Sequence, residues 1–539
     1  MTLIATHQRL IQRKPALHWL LALAILSPCS CSHVLRNPGV LVFAGPGTEP
    51  DTLNPLLTQM SDASDLALLY MPVLLHSNER DRLIPEIATA VPTRSNGGIS
   101  TDGRTIIYHL RRGVVWQDGV PLTARDVVFT FHAVMNPLND VASRDGYDRI
   151  ASVVAKDPWT VVVHMRDAYS PIIAQFCNYP AYPILPAHIL ARYPDLNRVP
   201  FNTLPIGAGP YKVVDWIHGD HIDFAANPRY WRGEPHILRL ELRFIADPAT
   251  AVAQLKTGEL DAWFNVDPSA YPALVPSRVH LALSPMNDIH LLLLNLSDPA
   301  LRDVRVRRAI AYALQLRFVA KAAVHGLGEQ VNGDQPTFSW AYSKPRSAIQ
   351  YDPRRARALL GAAGWHGNLS LTLAGTKDVT AWYQLAVLVQ SELAAAGIHV
   401  SIKTYPAGLY FGASAGGGIL RSGRFQMAYD ARLLGVDPND EAYYACNQFS
   451  PGGENVVHWC DPIADRAMKA AVATYETTER ARDYAIVQER MAEDVPVVSL
   501  WQVRRVDAFS VPVRGFMPSP SGETFWNVWS WRIREPVSK

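Results

Sequence analysis

A β-rich run, a glycine turn and a capped amphipathic helix follow one another between residues 105 and 134, and few architectures admit that order. Residues 105–110 (TIIYHL) have strand composition and lead through Arg111-Arg112-Gly113 into Val114-Val115-Trp116, after which Gln117-Asp118-Gly119 supplies a turn. Thr123 then stands where a helix N-cap belongs, and Asp126 three residues on completes a capping box. Val127, Val128, Phe131 and Val134 set an apolar stripe along one helical face. A tryptophan beside Gln117 and Asp118 suits a catalytic loop as well, but turn, cap and core explain each residue without any chemistry. The stretch therefore reads as a structural joint.

The same grammar recurs. Asp303 opens an amphipathic helix that runs through Leu314, and Asp352-Pro353 places proline in a first helical turn before an alanine-rich helix ending at Gly361 or Gly364. Residues 384–396 form another helix, stopped by Gly397 and followed by a strand over 398–405. Helices alternating with short strands mean an α/β fold. At 539 residues and 48% apolar the chain is too long for one core and predicts two or three domains. Its charged residues, 19% of the total, form no long single-sign block, which argues against disorder, a coiled coil and a nucleic-acid stripe.

The start of the chain has the layout of a secretory leader. Arg9, Arg13 and Lys14 precede an apolar run over 16–26 and then SPCSC, and residues 1–28 contain no acid. Their removal takes the formal charge from +2 to 2 − 3 = −1. The run is too short to span a bilayer comfortably, and LLLLNL at 291–296 is strand-sized. Leu26-Ser27-Pro28-Cys29 resembles a bacterial lipobox, with Cys29 as the acylated first mature residue and Cys31 as the alternative.

Five cysteines divide accordingly. Cys29 and Cys31 belong to the processing region, and Cys177 is alone. Cys446 and Cys460 can close a loop containing Pro451, Gly452 and Gly453, which in an exported protein reads as a disulfide stabilising by about 3 kcal/mol. Two other readings stay open: a zinc site from Cys446, His458, Cys460 and Asp461, which lacks a recognised spacing, and a pair of buried free thiols.

STDGRTIIYHLRRGVVWQDGVPLTARDVVFTF closely resembles the signature region of solute-binding protein family five, the extracytoplasmic receptors of peptide, dipeptide and nickel ABC importers. The resemblance continues in order through PDTLNPLLT at 50, IGAGPYKVVDW at 206, NPRYWRGEPHI at 227, LKTGELDAW at 255, LNLSDPALRDVRVRRAIAYAL at 294, YDPRRARALLGAAGW at 351 and EDVPVVSLW at 493. It implies the large periplasmic-binding-protein architecture, a Venus flytrap. A discontinuous first lobe would take 37–75, 204–294 and 505–539, a small insert 76–203, and a second lobe 295–504, with hinge crossings near 295 and 504.

The resemblance also implies a site without catalysis. Gln59, a few positions after Leu53-Asn54-Pro55, faces the cleft in peptide-binding relatives, and Met60, Tyr429, Asp430, Arg432 and Leu434 are the further ligand-binding candidates. In those relatives an aspartate three residues before an Asp-Pro pair holds the peptide α-ammonium. Counting back from Asp437-Pro438 reaches Leu434, so the chain departs from the pattern there, and Asp430, Asp437, Asp440 and Glu441 are the nearby carboxylates able to take the role. The implied partners are a peptide or small polar solute and membrane permease subunits with a separate ATPase. No nucleic acid, cofactor or metal is expected, and the protein should be a monomer in the periplasm or on the outer face of the cytoplasmic membrane.

A different class of function rests on Gly412-Ala413-Ser414-Ala415-Gly416, which matches the G-x-S-x-G elbow of serine hydrolases and would make Ser414 a nucleophile. An elbow needs a strand before it and a helix after it, whereas Gly416-Gly417-Gly418 disfavours a helix start, so a flexible loop is the better reading. A peptide-holding chaperone or sensor of the same fold is a third possibility. No H-E-x-x-H, phosphate-cradling loop or dinucleotide fingerprint is present. Fourteen tryptophans and 21 tyrosines suit a broad cleft whose rings cover a ligand's apolar parts, although most such rings serve the core.

Overall fold

Two long strands, His280–Leu294 and Val497–Phe509, run antiparallel through the middle of an 11-stranded sheet. The computed structural model that shows this describes residues 39–45, 49–58, 60–177, 182–367, 369–377, 380–412 and 416–533. The leader over 1–28, Cys29, Cys31, Gln59 and Ser414 lie outside the described residues. On one side of the pair the sheet continues through Ala262–Trp263, Val40–Ala44, Arg239–Arg243, His221–Ala226 and Tyr211–Ile217, and on the other through Met427–Leu433, Leu369–Thr376 and Ile398–Tyr405. The mixed α/β sheet has parallel ladders in both halves.

The central pair belongs to both halves. Residues 280–285 pair with 504–509, residues 289–293 pair with 497–502, and the register shifts between Pro285 and Ile289. The first strand is therefore longer than the apolar 291–296 run and begins well before it. Its last nine residues are mostly buried, while its first six are partly or fully exposed.

Local signals explain most of the helices around this sheet. Asp303 caps Val304–Ala313 by accepting the Arg305 N–H at 2.9 Å. Asp352 caps Pro353–Ala362 through the N–H groups of Arg354 and Arg355. Helix Thr380–Ala395 starts four residues before the expected 384, and Gly397 ends it with a left-handed φ of +93°. The Ile398–Tyr405 strand follows as read from sequence. Cys446 and Cys460 are joined as a disulfide, and Cys177 is buried with a free thiol. Among the described residues no helix is long and apolar enough to cross a membrane.

Residues 105–165 build a separate three-stranded sheet, ordered Thr105–His109, Thr160–Met165, Ile150–Asp157, with helix Ala124–Met135 against it. The Thr123–Asp126 capping box is present, the Thr123 N–H reaching Asp126 Oδ2 at 2.8 Å. Trp116 is 0% exposed. Gln117 donates from Nε2 to the Tyr211 carbonyl at 2.7 Å and accepts the Gly207 N–H at 3.1 Å, while its own N–H donates to the Gly207 carbonyl at 2.8 Å. The stretch is a joint: it ties this small sheet to the IGAGPY segment leading into strand Tyr211–Ile217.

That joint explains a glycine. A Cβ on Gly207 would lie 1.6 Å from the Tyr70 carbonyl oxygen, a backbone atom that cannot swing aside. Gly207→Ala should therefore destabilise the protein by about 3 kcal/mol or more, in the range of overpacked cores, and Gln117→Ala by about 1–3 kcal/mol through buried backbone groups left unpaired. Urea unfolding followed by far-ultraviolet circular dichroism checks both.

Candidate functional site

The two sheet halves enclose a cavity of about 300 Å³ where the register of the central pair shifts. Met286 and Asp288 from the first central strand and Arg505 from the second contribute to its wall. Ala431 and Leu433 come from strand Met427–Leu433, and Asp62 and Asp65 from helix Ser61–Ala67. Phe43, Phe264 and Phe525 form one apolar wall, with ring centroids 5.4 to 5.7 Å apart.

The Leu53-Asn54-Pro55 turn aims that helix. Asn54 accepts the Leu56 N–H at 3.1 Å and donates to Asn202 Oδ1 at 2.9 Å, and Thr58 accepts the Met60 N–H at 3.1 Å. The helix buries Ala63, Leu66 and Ala67, which leaves Asp62 and Asp65, three residues apart, on the face towards the cavity.

Arg505, 3% exposed, donates to both carboxylate oxygens of fully buried Asp507 at 2.7–2.9 Å and to Thr524 Oγ1 at 2.8 Å. Asp65 accepts the Thr524 N–H at 2.8 Å. Burial raises the Asp65 carboxyl to about 7, against the pull of Arg505 and the Thr524 hydrogen bond and with a push from Asp62. Asp62 is exposed where it opens onto the cavity, yet the protein packed around it raises its pKa too, again opposed by Arg505. Asp288 Oδ1 is buried without a hydrogen-bond partner, and its Oδ2 lies 3.5 Å from His290 Nε2.

Of the candidates read from sequence, Met60 lines this cavity, while Tyr429, Asp430, Arg432 and Leu434 do not. Strand alternation is the reason. Ala431 and Leu433 face the cavity, so Asp430, Arg432 and Leu434 point to the opposite face. Tyr429 shares the face of Ala431 but lies deeper, against Trp382 and Trp501, with its hydroxyl hydrogen-bonded to His290. Arg432 is 3.4 Å from Asp430, donates to the Tyr444 hydroxyl at 2.8 Å and stacks over Tyr443 at 4.2 Å. Leu434 is buried in an apolar cluster with Leu291 and Tyr444.

The neighbouring carboxylates are engaged as well. Asp437 takes two hydrogen bonds from Arg480, Asp440 accepts from Gln335 at 2.9 Å, and Glu441 pairs with Arg149 at 2.6 Å. Asp440 sits beside Asp334, and burial together with their mutual repulsion raises the Asp440 carboxyl. The segment before Ser414 is a short helix, Ala407–Tyr410, where a hydrolase elbow requires a strand. Sequence reasoning missed Asp62, Asp65, Asp288 and Arg505. The available signal was two acids three apart, Asp62 and Asp65, soon after Leu53-Asn54-Pro55.

Residues 82–455, well over half the chain, match the bacterial extracellular solute-binding proteins, family 5 middle region, and the chain belongs to that family. It is 27% identical over 475 residues to Protein XP55 of Streptomyces lividans, covering 84% of this chain and 82% of that one. To the glutathione-binding protein GsiB of Salmonella choleraesuis it is 26% identical over 510 residues, 93% of this chain and 96% of the relative. NikZ from Campylobacter jejuni, solved in complex with Ni(L-His), superposes with a TM-score of 0.78 at 26% identity, covering 92% and 100% of the two chains. CtaP from Listeria monocytogenes, an ABC transporter substrate-binding protein, shares the fold with a TM-score of 0.81 at 20% identity over 93% and 100%. The fold is thus that of the large periplasmic binding proteins.

Asp65 carries a testable consequence. Its pKa is about 7 folded and about 3.9 in an unfolded chain, so between these values the folded state binds the extra proton. Its contribution to stability is present at low pH and is lost as pH rises from about 4 to about 7. Asp65→Asn should gain melting temperature relative to the parent progressively from pH 5 to 7.5, as read by calorimetry in the solute-free protein.

Proposed function

We propose that the protein is the extracytoplasmic receptor of an ABC importer, capturing a peptide or related small solute by lobe closure and delivering it to membrane permease subunits energised by a separate ATPase. The observation that carries this is the cavity itself: both sheet halves wall it, and the strand pair joining them changes register at its edge. A solute touching both walls favours the closed state by its differential affinity, with no bond made or broken.

In this reading the lobes are 37–75 with 204–294 and 505–539, and 295–504, with 76–203 as an insert. The two crossings between the lobes lie near 295 and 504. Export would remove residues 1–28 and leave Cys29 as a lipid-bearing first residue.

The insert reaches the second lobe through Arg149–Glu441 at 2.6 Å, Asn439 Nδ2 to the Tyr169 hydroxyl at 3.0 Å, and the Tyr475 hydroxyl to the Gly103 carbonyl at 3.0 Å. We assign these contacts to the closed form. Solute eluted from protein purified from its own host, identified by mass spectrometry and added back, should bind one to one, be recovered unchanged and reduce the radius of gyration by small-angle scattering. Turnover of the solute, or an unchanged radius at saturation, overturns the receptor reading. Arg149→Ala should speed solute release about five- to thirtyfold, as expected for removing a charge-assisted hydrogen bond worth about 1–2 kcal/mol, measurable by stopped-flow tryptophan fluorescence.

A further inference from the structure

We propose that Asp62, Asp65 and Asp288 form a cation-binding subsite in the cavity between the sheet halves, and that the captured solute is a small organic cation, an amine or guanidine carrying an apolar body. This rests on the receptor reading and adds the ligand's chemistry to it.

The charges around the cavity do not balance. Its two arginines each have a carboxylate of their own: Arg505 is held by Asp507, and Arg243 pairs with Glu241 at 2.7 Å. Asp62 and Asp65 remain without an arginine of their own, and Asp288 has only His290, 3.5 Å from its Oδ2. Among the described residues the cavity wall carries no lysine. Among the described residues Asp288 Oδ1 has no hydrogen-bond donor in reach, a condition that a ligand N–H relieves. A partly open cavity lined by more carboxylates than free cations is complementary to a cation.

Other features narrow the ligand. Phe43, Phe264 and Phe525, with Met60 and Met286, give apolar walls, so the solute has a hydrocarbon or aromatic part beside its charge. A volume near 300 Å³ lies at the lower end for ligand pockets. A bare metal ion is disfavoured, because among the described residues no three His, Cys, Asp or Glu side chains converge closely enough to hold one. The position where peptide-binding relatives carry an ammonium-binding aspartate is Leu434, buried among apolar groups; Asp430, Asp437 and Glu441 pair with arginines, and Asp440 accepts from Gln335 through Oδ1. The cation is thus received at the helix Ser61–Ala67 side of the cavity.

Binding of a cation here favours ionised Asp65 and so is linked to proton release. The groups facing Asp65 are Asp62 on its own helix, Arg505 with Asp507 behind it on the second central strand, and Thr524 on the C-terminal segment. Asp288 and Arg243 stand on the other walls of the same cavity. Affinity should rise as pH increases through about 7, where Asp65 loses its proton in the empty site.

The test uses the whole mature protein, stripped of solute, and calorimetric titration with matched probes: 2-phenylethylamine, 2-phenylethanol and phenylacetate. The amine should bind, more tightly at pH 8 than at pH 6, with an enthalpy that varies with buffer because a proton is released. Asp62→Asn should weaken it about tenfold or more without lowering the melting temperature of the empty protein, since the fold raises the Asp62 pKa and so disfavours its charged form. Asp288→Asn provides the second variant. Binding of the alcohol or the acid as tight as the amine, or amine binding indifferent to both substitutions, overturns the assignment. A neutral or anionic solute eluted from the native protein also overturns it but leaves the receptor reading standing, whereas an eluted cation supports it. Protein that closes on no solute, its own eluate included, overturns the receptor reading itself.

Discussion

The backbone ladder between His280–Leu294 and Val497–Phe509 joins the molecule's two halves. Each strand hydrogen-bonds along its length to the other, and at its ends to different neighbours: Phe509 and Ala508 face Ala262–Trp263, while residues 288–294 face Met427–Leu433. A paired β-ribbon bends more easily than it shears, because bending preserves its hydrogen bonds and shearing breaks them. The register shifts between Pro285 and Ile289, where the ladder is interrupted. Met286 and Asp288 lie within that irregularity and contribute to the cavity wall.

Strand Met427–Leu433 separates two electrostatic environments by a single backbone layer. Its odd-numbered residues Ala431 and Leu433 present small and apolar side chains to the cavity, and the even-numbered Asp430 and Arg432 enter a neutralised network with Tyr443 and Tyr444 on the other side. A slip of one residue would exchange these faces, placing Arg432 among the carboxylates of the cavity and leucine against the buried tyrosines. The seven-residue antiparallel register with the first central strand guards against that.

Much of this architecture was legible because its signals are local. Thr123, Asp303 and Asp352 cap helices with their own side chains, and Gly397 ends one by a backbone conformation that other residues adopt only with strain. The apolar run at 291–296 covers only the end of the 280–294 strand because Ser284, Pro285, Asn287 and Asp288 interrupt its apolar pattern around the register shift, where Asp288 also lines the cavity. Family position led to Met60, which lines the cavity, and to Tyr429, Asp430, Arg432 and Leu434, which do not. Asp62 and Asp65 become a site only when residues 431, 505 and 524 are folded against them, and no window of sequence contains that meeting.

The placing of the last central strand has a consequence for how the chain is made. Val497–Phe509 occupies the middle of the sheet, yet a ribosome delivers it after more than nine-tenths of the chain. Until it arrives, strands Ala262–Trp263 and His280–Leu294 each lack a neighbour, and the first half of the sheet has no bridge to the second. Contacts this distant in sequence form slowly. A nascent chain therefore lacks the strand that joins its two halves until its synthesis is well advanced.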